Sequence, residues 1–172
     1  MAWFRKIRRV LDLVLEGLLA IVMGVLVIDV TWQVFTRFVL SNPSSWTEEL
    51  ATYLMIWVGL LGASVALRRG AHLGIDYFVS HLSPRKRAAT EVFVFAIVAA
   101  FSIAVLCVGG WLLVRKVTEL GQTSAALRVE MGYVYLALPI SGFFLTFYSV
   151  EFLIERLIVV VKGLPEEAEA TG

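Results

Sequence analysis

Two adjacent carboxylates, Glu48 and Glu49, stand at the end of the polar stretch N-P-S-S-W-T-E-E-L, residues 42–50, directly before a long uncharged run. A pair of acids side by side is the raw material of a paired-carboxylate site. The spacing of their neighbours argues for separate duties instead. Ser45 precedes Glu48 by three residues, which is the S-x-x-E spacing of a capping box. In that arrangement the serine oxygen accepts the Glu48 amide N–H, and the Glu48 carboxylate accepts the Ser45 amide N–H. A carboxylate in the first turn also complements the positive end of the helix dipole. Ser45 and Glu48 are therefore expected to cap a helix. Glu49 lies about 100° further round and shares a face with Trp46, Tyr53, Trp57, Leu60 and Ser64. Two readings of this face stand. It packs against a partner, inside the chain or in another subunit, with Trp46, Glu49, Tyr53 and Trp57 as the candidate interface. Otherwise Trp46 and Tyr53 anchor the helix at a membrane interface and Glu49 is solvated among headgroups.

Asp29 is a second isolated acid, set in an apolar run. A carboxylate at the centre of a membrane helix costs on the order of 2.5–3.5 kcal/mol on insertion scales, so it marks a site hypothesis. At a rise of 1.5 Å per residue it lies roughly 28 Å along a helix that starts near Val10, close to the far interface. Gln33 and Arg37 follow at i+4 and i+8. A polar helix–helix seam of Asp29, Gln33 and Arg37 is favoured over an ion site. Arg37 is also a candidate ion partner for Glu49, a pair that contributes only about 0–1 kcal/mol when exposed. Asp12, Glu16, Glu91, Glu151 and Glu155 lie near predicted helix ends and are read as solvated or headgroup-paired, with Arg8–Asp12 as an i,i+4 pair.

Other chemistries are excluded. The only histidines, His72 and His81, fall in one connection, which fits no haem site between facing helices. The single cysteine, Cys107, sits in an apolar run and reads as a small buried hydrophobe. No Walker A, G-x-S-x-G or H-E-x-x-H sequence occurs. No catalytic residue, cofactor or metal is expected.

The elements that position these residues follow from composition. Of 172 residues, 59% are hydrophobic and 17% charged, where soluble domains carry about 25% charged. The fold class is an all-α membrane protein of one domain, because helices satisfy their own backbone hydrogen bonds where lipid cannot. Four spans are expected, at about 10–38, 46–67, 88–114 and 130–161, each long enough to cross the hydrocarbon. The first is read as an uncleaved helix, since its run is too long for a signal peptide. Eleven lysines and arginines fall on the side of the two termini and four on the other, out of 15. Both termini are therefore expected to be cytoplasmic. Net charge +1 leaves no basic face for nucleic acid. Between the second and third spans, Ile75, Phe78, Val79 and Leu82 recur at helical spacing, which predicts a short amphipathic helix in the interface. Ser83-Pro84 then caps the third span. Arg85, Lys86 and Arg87 are candidate contacts to lipid headgroups. Pro139 is expected to kink the fourth helix and to free the carbonyl four residues earlier, at Tyr135, and residues 163–172 form a polar tail.

Two stretches resemble a known family. "RFVLSNPSSWTEELATYLMIWVGLLGASVALRRGAHLGIDYFV", residues 37–79, and "GQTSAALRVEMGYVYLALPISGFFL", residues 121–145, resemble the small membrane subunit of tripartite ATP-independent periplasmic (TRAP) transporters, the DctQ type. The W-x-x-E-L element, Trp46 to Leu50, carries most of the likeness, together with G-A-x-x-A-L-R-R-G further on. One departure is Ala126, where the family's outer loop usually has a proline. The resemblance implies an inner-membrane scaffold that pairs with a large permease subunit. The large subunit would hold the substrate and sodium sites, and a periplasmic binding protein would deliver an organic acid, commonly a carboxylate. The competing readings are a self-contained homodimeric proton-coupled exporter and a membrane anchor for another enzyme complex.

Overall fold

The computed structural model describes residues 2–42, 44–70 and 84–162. Among them every long element is helical. Helix α1 runs Ala2–Phe38 and α2 runs Ser45–Arg68. The next rod has three segments: α3 (Pro84–Phe101), a π-helical stretch Ser102–Gly109, and α4 (Gly110–Glu119). The last rod is α5 (Met131–Tyr135) followed by α6 (Ala137–Lys162). Three of these stretches, Lys6–Phe38, Ser45–Arg68 and Arg87–Glu119, are long and apolar enough to cross a membrane. The expected amphipathic helix over 75–82, Ser83 and the tail 163–172 lie outside the described residues, as do the side chains of Arg85 and Lys86.

Helix α1 packs along α2, α2 along α6, and α6 along α3 and the π segment. The rods stand in a row, ordered first, second, fourth, third. The seams explain this order. On α1 the covered positions Asp12, Leu15, Leu19, Val22, Leu26, Asp29, Gln33 and Thr36 alternate at spacings of three and four. Such a 3.5-residue period keeps one face of a helix on its neighbour along a shallow left-handed crossing. On α2 the stripe Thr47, Ala51, Leu54, Val58, Leu61, Val65 and Arg68 has the same period. Arg68 lies 3.6 Å from Asp12, and Leu15 shares a core cluster with Leu61 and Val65. Extending that antiparallel register sets Leu26 against Leu54 and Asp29 against Ala51. A second stripe on α2, Leu50, Tyr53, Trp57, Leu60, Ser64 and Leu67, turns to the last rod. Ser64 Oγ donates to the Ser141 carbonyl at 3.3 Å across that contact.

The apolar core gathers towards the end of the molecule that carries the first turns of α1 and the last turns of α6, here the terminal end. Leu15, Leu61, Val65, Leu67, Phe95, Phe144 and Tyr148 meet there. Towards the opposite, distal end α2 is the main neighbour of α1 among the described residues. Only 11% of its most apolar stretch is buried, against 28% for α2.

The third and fourth rods approach unusually closely. A Cβ added at Gly142 would lie 2.7 Å from Leu106 Cβ and 3.0 Å from the Cys107 nitrogen in the π segment. A Cβ at Gly110 would lie 2.7 Å from Leu138 Cβ. The last rod is interrupted at Leu136, one turn before Pro139, whose missing N–H and ring cannot continue a straight helix.

Candidate functional site

The distal end is built around Glu49. The Ser44 hydroxyl lies 2.7 Å from Thr47 Oγ1, and Thr47 Oγ1 donates to the Ser44 carbonyl at 2.8 Å. Ser44 is thus the N-cap of α2, and Ser45 is its first helical residue; no side-chain capping bond forms. This corrects the expected capping box of Ser45 and Glu48. The turn closes one residue earlier because Thr47, wholly buried, engages Ser44. Glu48 remains in the first turn, where its charge suits the helix dipole.

Glu49 points across the distal end into the 120–130 connection. Its Oε1 accepts the Ala125 N–H at 3.0 Å, and its Oε2 accepts the N–H groups of Ala126 and Leu127, both at 2.8 Å. The Tyr53 hydroxyl donates to Oε1 at 2.8 Å and lies 3.3 Å from Met131 Sδ. Four donors around one carboxylate form an anion nest of the kind that charge-assisted bonds make strong. The connection is shaped to supply them. Gly121 and Arg128 take positive φ, Ser124 N–H donates to the Val129 carbonyl at 2.8 Å, and the Met131 N–H donates to the Gln122 carbonyl at 2.9 Å. A proline at position 126 would have no N–H to give to Glu49.

Of the expected face, then, Glu49 and Tyr53 are engaged inside the chain. Trp57 packs half-buried against the core cluster, and Trp46 is 43% exposed at the distal rim. The inside-the-chain reading of this face describes Glu49. Arg37 does not pair with it: the Arg37 guanidinium lies 6.0 Å from the Phe38 ring centroid, and the Glu49 oxygens are filled by the loop. Asp29 and Thr36 are both 5% exposed and lie in the α1–α2 seam with half-buried Gln33. Neither Asp29 oxygen has a hydrogen-bond partner among the described residues. Arg37 is exposed and does not belong to the seam.

The terminal end holds a network that sequence reading missed. Arg8 Nη1 lies 2.9 Å from Glu151 Oε1, joining α1 to α6. Arg68 reaches Glu16 at 3.0 Å, and Arg69 reaches the same carboxylate at 3.1 Å. The Tyr148 hydroxyl donates to Asp12 Oδ1 at 2.8 Å from a fully buried ring. Glu91 of α3 meets Arg156 of α6 at 2.8 Å and Arg87 at 3.2 Å. Asp12, Glu16, Glu91 and Glu151 therefore have partners within the chain, although the Glu16 side chain stays 37% exposed, and Arg8 pairs with Glu151 and not with Asp12. The reason is the row itself. Placing α6 between α2 and α3 buries Glu151 and covers Asp12, and a covered charge needs a partner across the contact. Arg87, expected at headgroups, is tied to Glu91. The i,i+4 spacing of Arg8 and Asp12 could not signal which helices meet.

These two polar ends close the rods on each other. The family model for tripartite ATP-independent periplasmic transporters, DctQ component, matches residues 26–158. The chain belongs to the DctQ family. It is a transporter component and not an enzyme. The chain is 28% identical over 169 residues, 95% of its length and 92% of the relative's, to the sialic acid TRAP transporter small permease protein SiaQ of Vibrio cholerae. It is 28% identical over 110 residues to the C4-dicarboxylate TRAP transporter small permease protein DctQ of the same organism, covering 64% of this chain and 47% of the relative. A 63-residue stretch, 36% of this chain, is 46% identical to 10% of the sialic acid TRAP transporter permease protein SiaT of Haemophilus influenzae. Membership of this DctQ family does not favour a self-contained exporter or an enzyme anchor.

Proposed function

We propose that the chain is the small permease subunit of a sodium-coupled, binding-protein-dependent TRAP transporter, and that it braces a large permease subunit without holding the substrate. It lies in the bacterial inner membrane as one domain of four spans, with both termini cytoplasmic, and the Glu49-held connection faces the periplasm. The large permease carries the substrate and sodium sites. A periplasmic binding protein delivers an organic acid, with sialic acid and C4-dicarboxylates the substrate classes named for relatives.

The observation that carries the scaffold reading is the open row. Helix α1 has α2 as its main neighbour over its distal half and leaves a span-length apolar face for a partner or lipid. The polar side chains of Glu49, Tyr148, Arg68 and Arg8 fasten the rods of this chain to each other. The 46% identity to a segment of a permease protein supports a small subunit that pairs with a large one.

Co-expression with the large permease from the same operon tests the reading. The two chains are expected to co-purify and, with the binding protein, to drive sodium-dependent uptake of an organic acid in vesicles. Single cysteines at Ile21 and Ile28 on the uncovered α1 face should cross-link to the large subunit. Active transport by this chain without any partner would overturn the proposal. Trp57→Ala tests the remaining part of the aromatic face, and unchanged assembly would remove it from the interface.

A further inference from the structure

The hydroxyl of Tyr53 stands between two acceptors of different strength. It lies 2.8 Å from Glu49 Oε1 and 3.3 Å from Met131 Sδ. A phenol has one proton to give. The carboxylate takes it, being charged and nearer, and the thioether, a weak acceptor, is left beside the shared hydroxyl. Met131 is also the residue at which the distal connection closes. Its N–H donates to the Gln122 carbonyl at 2.9 Å, and it opens α5.

This sets Met131 apart from the other described methionines. Met23 and Met55 are 44% and 59% exposed, but they stand in apolar runs on α1 and α2. Met131 is partly buried at the distal end, beside a hydroxyl that a carboxylate holds. Positive charge develops on a thioether sulfur as it gives electrons to an oxidant. A nearby carboxylate stabilises that charge, and a phenol stabilises the new oxygen by donating to it.

We propose that Met131 is a redox modification site whose state is read by Tyr53. A two-electron oxidant such as hypochlorous acid converts the thioether to the sulfoxide. The sulfur gives two electrons to chlorine. In the net reaction an S–O bond forms, the O–Cl bond breaks, and chloride and a proton leave. The product is polar, and methionine sulfoxide reductases reverse it.

The sulfoxide oxygen is a far better acceptor than the thioether sulfur, and it forms next to the Tyr53 hydroxyl. It draws the Tyr53 proton away from Glu49. The carboxylate keeps the three loop amides but loses its fourth donor. The 120–130 connection then loosens. This chemistry does not depend on transport, so the full chain alone suffices to test it. The orientation proposed above only sets the compartment, the periplasm, whose oxidants reach the site.

The test treats the full chain in detergent micelles with a limiting amount of hypochlorous acid. Peptide mass spectrometry should find the sulfoxide at Met131 before Met55, although Met55 is the more exposed. Hydrogen exchange at residues 125–127 should then accelerate by about fivefold, the scale of one ordinary hydrogen bond. A methionine sulfoxide reductase should return it to the starting rate. Tyr53→Phe should exchange at one rate before and after oxidation, because it has no proton to move. Met131→Leu, which nearly conserves volume, should show no acceleration and keeps the comparison if Tyr53→Phe fails to fold. Oxidation of Met55 ahead of Met131 overturns the proposal. So does a Met131 sulfoxide that leaves exchange at 125–127 unchanged. Acceleration that persists in Tyr53→Phe overturns it too, by assigning the effect to the bulk of the added oxygen. Acceleration in Met131→Leu does the same, by placing the responsible oxidation elsewhere in the chain.

Discussion

The carboxylate of Glu49 accepts the backbone N–H of Leu127 at 2.8 Å, across 78 residues of sequence. With the Ala125 and Ala126 amides it ties the N-terminal part of α2 to the connection between the third and fourth rods. A side chain that holds three consecutive amides adds a tie to α2 beyond the loop's own Ser124–Val129 and Met131–Gln122 backbone bonds.

Glu49→Gln keeps the length but replaces one acceptor oxygen with an NH₂ group that faces amide N–H donors. Hydrogen exchange at residues 125–127 should accelerate by roughly tenfold or more, which is the scale of losing a charge-assisted bond, while the helices exchange as before. Ala126→Pro removes one of the three donors and leaves two. Its effect on exchange at 125 and 127 should be smaller than that of Glu49→Gln. Equal or greater exposure in the proline variant would mean that loop shape, not the carboxylate, holds the segment.

The close contact of the third and fourth rods gives a second expectation. Gly142→Ala forces a Cβ to within 2.7 Å of Leu106 and 3.0 Å of the π-segment backbone. Overpacking of this kind costs about 1–3 kcal/mol. Gly17→Ala and Gly24→Ala meet nothing within 4 Å and replace a poor helix former, so they should hold stability or raise it slightly. Unfolding in detergent micelles compares the three. Equal loss for all of them would point to helix flexibility in place of packing.

The helices were legible because their apolar runs are long and uninterrupted. The α1 seam was partly legible too, since Asp29 and Gln33 share a stripe that the 3.5-residue period defines. Glu49 stood out as the acid that local structure did not explain. Its acceptor role was not legible, because Ala125–Leu127 offer only backbone, which carries no residue signature. Ser44 and Ser45 are equally good caps on paper, and buried Thr47 chooses between them through a contact the spacing rule does not contain. The terminal network was misread for a different reason. Arg8 can pair with Asp12 along α1 or with Glu151 across to α6, and only the order of rods in the row decides. The π segment left no trace in the residue types of 102–109, and the close approach of Gly142 to it lies on another helix, 35 residues on from Cys107.

Tyr148 tests the terminal network. Its ring is fully buried, and its hydroxyl is the short contact to Asp12, while Arg68 stays at 3.6 Å. Tyr148→Phe removes the hydroxyl with little change in packing. Stability should fall by about 1.5–3 kcal/mol, as for a hydrogen bond to a charged group. Replacing Asp12 by Asn in the same background should then cost less than it does alone. A double-mutant cycle in micelles measures that difference, and strict additivity would show that the two side chains do not act together.

Asp29 gives the sharpest expectation, because the structure assigns it a cost and no benefit within the chain. Both oxygens are covered and unpartnered in a seam whose neighbouring positions, Leu26 and Ala51, are apolar. Leucine has a similar γ-branched shape without the polar atoms. Asp29→Leu should therefore stabilise the isolated chain by about 1–3 kcal/mol, the penalty of an unsatisfied buried group. Asp29→Asn keeps a polar group that also lacks partners and should gain less. Measuring both variants alone and in complex with the large permease separates two causes. A gain in both settings marks Asp29 as a seam residue that fixes register at a cost in stability. A gain in the isolated chain together with weaker assembly would show that the partner subunit reshapes the distal half of α1 and supplies the donor that Asp29 lacks. A loss of stability in the isolated chain would refute the reading of an unsatisfied carboxylate.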